Sequence, residues 1–100
     1  MSAYTVFVAR DAWSEIKALP GNVRQRVRKA IDALAENPRP AASKALDLAE
    51  PGVELRRLRL DRWRIVYAVT EAEQSIDVLA VRKRPPYDYG DLERLLSGVH

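Results

Sequence analysis

Glu54-Leu55-Arg56-Arg57-Leu58-Arg59-Leu60-Asp61-Arg62-Trp63-Arg64-Ile65-Val66-Tyr67 reads as a β-hairpin. Leu58 and Leu60 alternate with Arg57 and Arg59, which is the period of a half-buried strand. Asp61-Arg62 stands where a two-residue turn belongs. On the return strand Trp63, Ile65, Tyr67 and Val69 alternate with Arg64, Val66 and Ala68. Pairing about that turn sets Leu60 opposite Trp63, Arg59 opposite Arg64 and Leu58 opposite Ile65. Arg57, Arg59 and Arg64 then share one sheet face and the large apolar groups share the other. Like charges directly opposite cost about 0.2–1 kcal/mol per pair. A polyanion lying on that face would offset the cost.

Around the hairpin the chain reads as alternating short elements. Upstream, Tyr4 to Ala9 alternates weakly, as a first strand. Asp11 is the expected N-cap of a short helix whose buried side is Trp13 and Ile16. Pro20-Gly21 punctuates the chain. Val23, Val27, Ala30, Ile31 and Leu34 then recur at helical spacing to about Glu36, where Asn37-Pro38 ends the helix. The two helices suit an αα-hairpin. Arg39 to Gly52 reads as a loop. Downstream of the hairpin, Thr70 to Gln74 is a polar connection and Ile76 to Val81 a third strand. Arg82-Lys83-Arg84-Pro85-Pro86 stops that strand, and Asp91 to Leu96 reads as a short terminal helix. The fold expected is α+β, in the order β-α-α-β-β-β-α. A small antiparallel sheet is covered on its apolar face by the N-terminal helical hairpin, and the opposite, arginine-bearing face is exposed and concave.

Composition narrows the functional classes. One hundred residues suit one domain, 1–100. The absence of cysteine removes disulfides and thiolate metal sites, as suits a reducing cytoplasm. The N-terminus lacks the pattern of a signal peptide, and no stretch is apolar enough for a membrane span. The net charge is only +3, but eight of the 17 basic residues lie between Arg56 and Arg84. A second basic group, Arg24, Arg26, Arg28 and Lys29, lies in the longer helix. A phosphate-bearing or acidic partner fits this layout.

Arginine is too strong a base to accept a proton, but its planar fork grips phosphate and stabilises charge building on phosphate oxygens. RNA carries its own nucleophile, the ribose 2′-hydroxyl, so a protein can cleave it by alignment and charge neutralisation alone. No carboxylate cage or histidine spacing suggests a metal, no cofactor is called for, and the lone histidine is His100. Arg57, Arg59 and Arg64 are candidate catalytic residues. Arg84 joins them if Val69 faces Ser75, and a one-residue slip turns it away. Tyr87 and Tyr89 follow the basic strand end. Either suits base stacking or proton acceptance, or covers the core edge. Arg56, Arg62, Arg82 and Lys83 are candidate RNA contacts.

The element order, the block from Arg57 to Tyr67, and the ending from Val78-Leu-Ala-Val-Arg-Lys-Arg84 to Tyr87 resemble the RelE/ParE superfamily of small bacterial toxins, over nearly the whole chain. For the RelE branch, the resemblance implies a metal-independent mRNA endonuclease acting in the ribosomal A site by 2′-hydroxyl attack. The matching basic positions are Arg57, Arg59, Arg64 and Arg84, and the family's tyrosine corresponds to Tyr87 or Tyr89. Where that branch often has lysine at the first two positions, this chain has arginine, which keeps phosphate contact and loses a group able to handle protons. The resemblance also implies a cognate antitoxin that wraps the toxin, and contact with operator DNA only through the antitoxin complex. The ParE branch of the same fold poisons DNA gyrase, and a relative that has lost catalysis would act as a binding module.

Overall fold

The hairpin forms in the register that its alternation predicts. β3 (Glu54–Leu60) and β4 (Trp63–Thr70) pair antiparallel with Leu58 opposite Ile65, Arg59 opposite Arg64 and Leu60 opposite Trp63. Asp61 takes a positive φ of 54° at the turn, a conformation that aspartate tolerates better than most residues. The structure, a computed structural model, describes residues 3–46 and 51–83 together with Arg94, Leu96 and Val99. The expected terminal helix falls largely outside the described residues, within which Arg94 and Leu96 are helical.

The sheet has five strands in the order β1-β5-β4-β3-β2. The antiparallel meander of β3, β4 and β5 (Ser75–Lys83) is as expected, but β1 (Thr5–Val8) joins β5 in parallel. The stretch read as a loop also contributes an edge strand, β2 (Ser43–Ala45), paired antiparallel with Leu58, Arg57 and Arg56. Its three residues carry no apolar alternation, so only the open edge of β3 recruits them.

Two helices cover one face of this sheet. α1 (Arg10–Lys17) contributes Ala12 and Ile16, and Leu19 follows in the next turn. α2 (Gly21–Leu34) contributes Val27, Ile31 and Leu34. These side chains meet Leu58, Ile65, Tyr67, Val69, Ile76, Val78 and Val81 in one core. Two readings of α1 are corrected. Its N-cap is Ala9, with Asp11 inside the first turn, where a carboxylate favours the helix dipole without capping it. Trp13 is 43% exposed, because the buried stripe runs through Ala12, Ile16 and Leu19. The Lys17 ammonium lies over the Trp13 ring, 5.8 Å from its centroid. Glu15 has a structural task as well. β1 stops at Val8, and the Glu15 carboxylate accepts the Val81 N–H at 2.9 Å in place of a neighbouring strand.

The opposite face is not the open basic surface expected from alternation. Leu55, Val66, Ala68, Leu79 and Ala80 form a second apolar cluster there, with Ala9, Leu46, Val53, Leu96 and Val99 packed against it. Only the end of the face nearer the β3–β4 turn is basic. The reason is that Leu55, Val66 and Ala68 share parity with the arginines, so one face is apolar at one end and cationic at the other.

Candidate functional site

The basic end of the sheet is built by the strand registers. Arg59 on β3 is directly opposite Arg64 on β4, and Arg64 is directly opposite Arg82 on β5. Neighbouring strands lie about 4.7–4.9 Å apart, so three arginine backbones fall within about 10 Å. Arg57 stands one pleat along β3, opposite Val66.

A β-bulge puts Arg82 in this row. The turn after β4 sets Val69 opposite Ile76, the slipped register, which alone would send Arg82 to the helix side. Between Val66 and Tyr67 the register shifts: Tyr67 pairs with Val78, whereas Val66 pairs with Ala80. Leu79 is thus an extra residue, and every later side chain on β5 changes face. Lys83 consequently lies opposite Trp63, on the helix side. Arg84, Tyr87 and Tyr89 lie outside the described residues.

The arginines differ in what they already hold. Arg59 is exposed and has no ion-pair partner among the described residues. Arg62 is exposed at the turn. Arg64 is only 3% exposed, and its Nη1 donates to the carbonyl oxygens of Asp61 at 2.8 Å and Trp63 at 2.9 Å. Its Nε is buried without a partner. Arg64 therefore has a structural task, tying down a turn with a positive-φ residue. The turn contacts, as well as any polyanion, thus help offset the cost of the Arg59–Arg64 pair. Arg57 and Arg82 are half-buried and each is engaged in an interaction.

Arg56 belongs to a different region. Its register partner is Tyr67, so it faces the helices. It donates to the Ser43 hydroxyl through Nε at 3.2 Å and Nη2 at 2.9 Å, and to the Glu54 carboxylate through Nη1 at 2.6 Å. Arg39 joins Glu54 to Glu71, and the Tyr4 hydroxyl donates to Glu71 at 2.7 Å. Burial pushes the Glu54 carboxyl up, but hydrogen bonds from Arg56 and Arg39 outweigh it and hold it below the usual carboxylate range. Glu71 is also held low, by Tyr4 and Arg39. Tyr67 is fully buried with its hydroxyl donating to the Pro38 carbonyl at 2.6 Å, and burial raises its pKa. It is a core residue, as its parity predicts.

Sequence reading did not find the apolar groove beside Arg59. Ala30, Ala33 and Leu34 of α2, Asn37, Pro40 and Ala42 of the following loop, and Leu58 and Leu60 of β3 enclose about 300 Å³ with Arg59. Three segments distant in sequence meet there, so no local pattern signals it. Among the described residues no group of His, Asp or Glu side chains is placed to hold a metal ion, and no helix is long and apolar enough to cross a membrane.

A five-stranded sheet with two helices on one face matches the RelE-like class of small α+β folds. A family model described as the ParE toxin of type II toxin-antitoxin systems, parDE, matches residues 6–85. The chain belongs to this family and so to the RelE/ParE superfamily, and it is a toxin of a type II toxin–antitoxin system. Among solved structures it is similar to the intact E. coli RelBE toxin–antitoxin complex, at 30% identity and a TM-score of 0.64, over 81% of this chain and 96% of that one. The isolated E. coli RelE toxin matches at 26% identity and 0.66, over 94% and 99%. In fold alone it is similar to the archaeal RelE–RelB complex from Pyrococcus horikoshii OT3, at 23% identity and 0.76, over 85% and 99%. A search of curated proteins gives no match.

Proposed function

We propose that this toxin is a ribosome-dependent mRNA endoribonuclease. The observation that carries the reading is the row Arg59, Arg64, Arg82 across three adjacent strands. Such a row is suited to a phosphodiester whose negative charge grows as a bond forms. The ribose 2′-hydroxyl attacks the adjacent phosphorus, the bond to the 5′-oxygen of the next nucleotide breaks, and the proton of the attacking hydroxyl leaves to a base. Arg59, exposed and without an acid partner, is the first phosphate grip. Arg57, Arg64, Arg82 and Arg84 share the developing charge, and Tyr87 or Tyr89 handles the proton. Arg62 at the turn extends the contact to flanking RNA, whereas Lys83 lies on the helix side and Arg56 is committed to the fold. No metal or cofactor enters.

The partner in this reading is a cognate antitoxin in the cytoplasm, and operator DNA is reached only through that complex. The E. coli RelBE structure is of a toxin–antitoxin complex. The groove beside Arg59 suits an apolar side chain of a wrapping segment, and the neighbouring arginines suit its acidic residues.

The second reading is a gyrase poison. The match to a ParE family model favours it, as does the guanidinium of Arg64, which is folded back on its own turn. Inducing the toxin while mapping mRNA 5′ ends and gyrase-linked DNA breaks separates the two. Translation-dependent cuts at in-frame codon positions are expected. DNA breaks without mRNA cuts would transfer the chain to the gyrase reading.

A further inference from the structure

α2 is amphipathic in an uneven way. Val27, Ile31 and Leu34 face the core, and its outward side carries Gln25, Arg28, Lys29 and Asp32. Arg24 flanks this side, half-buried, with its Nε out of solvent and no hydrogen-bond partner. Arg26 is already paired with Asp61 at the hairpin turn. Arg24, Arg28 and Lys29 have no ion-pair partner among the described residues. Two adjoining concavities, sharing Gln25 and Arg28, run along the helix past these side chains, one of about 510 Å³ and one of about 360 Å³.

We infer that the outward side of α2 is a second contact for a phosphodiester backbone, that of a folded or double-stranded RNA segment, bound by Arg24, Arg28 and Lys29. The surface chemistry favours this partner. A membrane-surface helix needs an outward apolar stripe, and the apolar stripe of α2 is in the core. A tight protein partner needs an apolar or aromatic anchor to bury, and this side offers none. A phosphate backbone needs only spaced cations and amide donors, and Gln25 adds the latter.

The second contact is distinct from the arginine row. α2 packs on the Leu58–Ile65–Tyr67 face, and the row lies on the other. The two come near each other at the turn end, where Arg26 pairs with Asp61 and Ala30 and Ala33 line the groove beside Arg59. Arg28 and Lys29 lie on the outward side of α2, away from the sheet, so the chain would sit between two RNA segments, cutting one and leaning on the other. The inference rests on the ribonuclease reading for the choice of RNA, but its test does not depend on cleavage.

The test measures affinity of the purified chain for a short blunt RNA duplex over a range of salt, beside the double variant Arg28→Ala/Lys29→Ala and the triple variant that adds Arg24→Ala. Each lost phosphate contact lowers the logarithmic salt slope by about 0.7–0.9. The double variant should lose about 1.5 of slope, and the triple about 2–3 with at least a tenfold weaker complex at low salt. Thermal melts check folding. The double variant alters only exposed side chains and decides the matter if the triple fails to fold. An unchanged slope in a folded double variant overturns the inference. So does a wild-type chain that ignores the duplex but binds vesicles containing an anionic phospholipid. A chain that cuts no mRNA in cells yet shows these slope changes keeps the α2 contact and loses the ribonuclease reading.

Discussion

Two arginine-containing regions of this toxin differ in what answers their charge. At one end of the sheet, Arg39 and Arg56 are met by Glu54, Glu71 and Ser43, in a mesh that ties together the loop after α2, β2, β3 and the β4–β5 turn. At the other end, Arg59 meets Arg64 and Arg64 meets Arg82 with no carboxylate directly opposite. Arg56 and Arg57 are consecutive residues that fall on opposite faces. One strand step separates a cation spent on the fold from a cation of the basic face. Side-chain parity, more than local charge density, sorts basic residues into these two uses.

The comparison depends first on the hairpin faces. Leu58→Asp should abolish folding, since it places a carboxylate in the core at a cost of roughly several kcal/mol. A soluble, cooperatively melting variant would mean that the faces are reversed. Arg59→Ala should next remove growth arrest with an unchanged thermal midpoint, whereas Arg56→Ala should lower stability by about 1–2 kcal/mol, because Ser43 loses its guanidinium donor and Glu54 keeps only Arg39 in a half-buried setting. Denaturant titration with toxicity assays on both variants would blur the distinction if the two behaved alike. Arg64→Ala should belong to both classes: less toxic, and destabilised by about 1 kcal/mol through loss of two carbonyl contacts at the turn. A gain in stability would mean that repulsion from Arg59 outweighs the turn contacts.

The smallest effect expected is on pH dependence. Glu54 and Glu71 have carboxyls held below their ordinary range, so their contribution is present above the unfolded pKa of about 4.3 and is lost as pH falls through the lower, folded values. Arg39→Gln should flatten that acid dependence, narrowing the difference in melting temperature between neutral pH and the acid limb by about 1–3 °C. Identical acid limbs for the two proteins would show that the mesh contributes nothing to the pH response.

Legibility from sequence follows the range of each interaction. The hairpin register, the burial of Tyr67 and the apolar stripe of α2 were readable, because period 2 and period 3.6 are local consequences of backbone geometry. Trp13 misled because its size suggested burial where Ala12 sets the buried stripe of α1. The groove beside Arg59 was invisible because its walls come from segments that meet only in three dimensions.

By itself, then, the chain's alternation determined a hairpin with Arg57, Arg59 and Arg64 on one face, two helices for the other, and a family resemblance that the comparisons bear out at the level of a type II toxin. Tertiary structure decided the parallel seat of β1, the recruitment of Ser43–Ala45 to an open edge, the apolar cover over half of the arginine face, and the place of Arg82. The physical reason is that each of these depends on a partner strand or surface far along the chain. The bulge at Leu79 makes the point: one unpaired residue reverses every side chain after it, and nothing in the local pattern of β5 says where the ladder will slip.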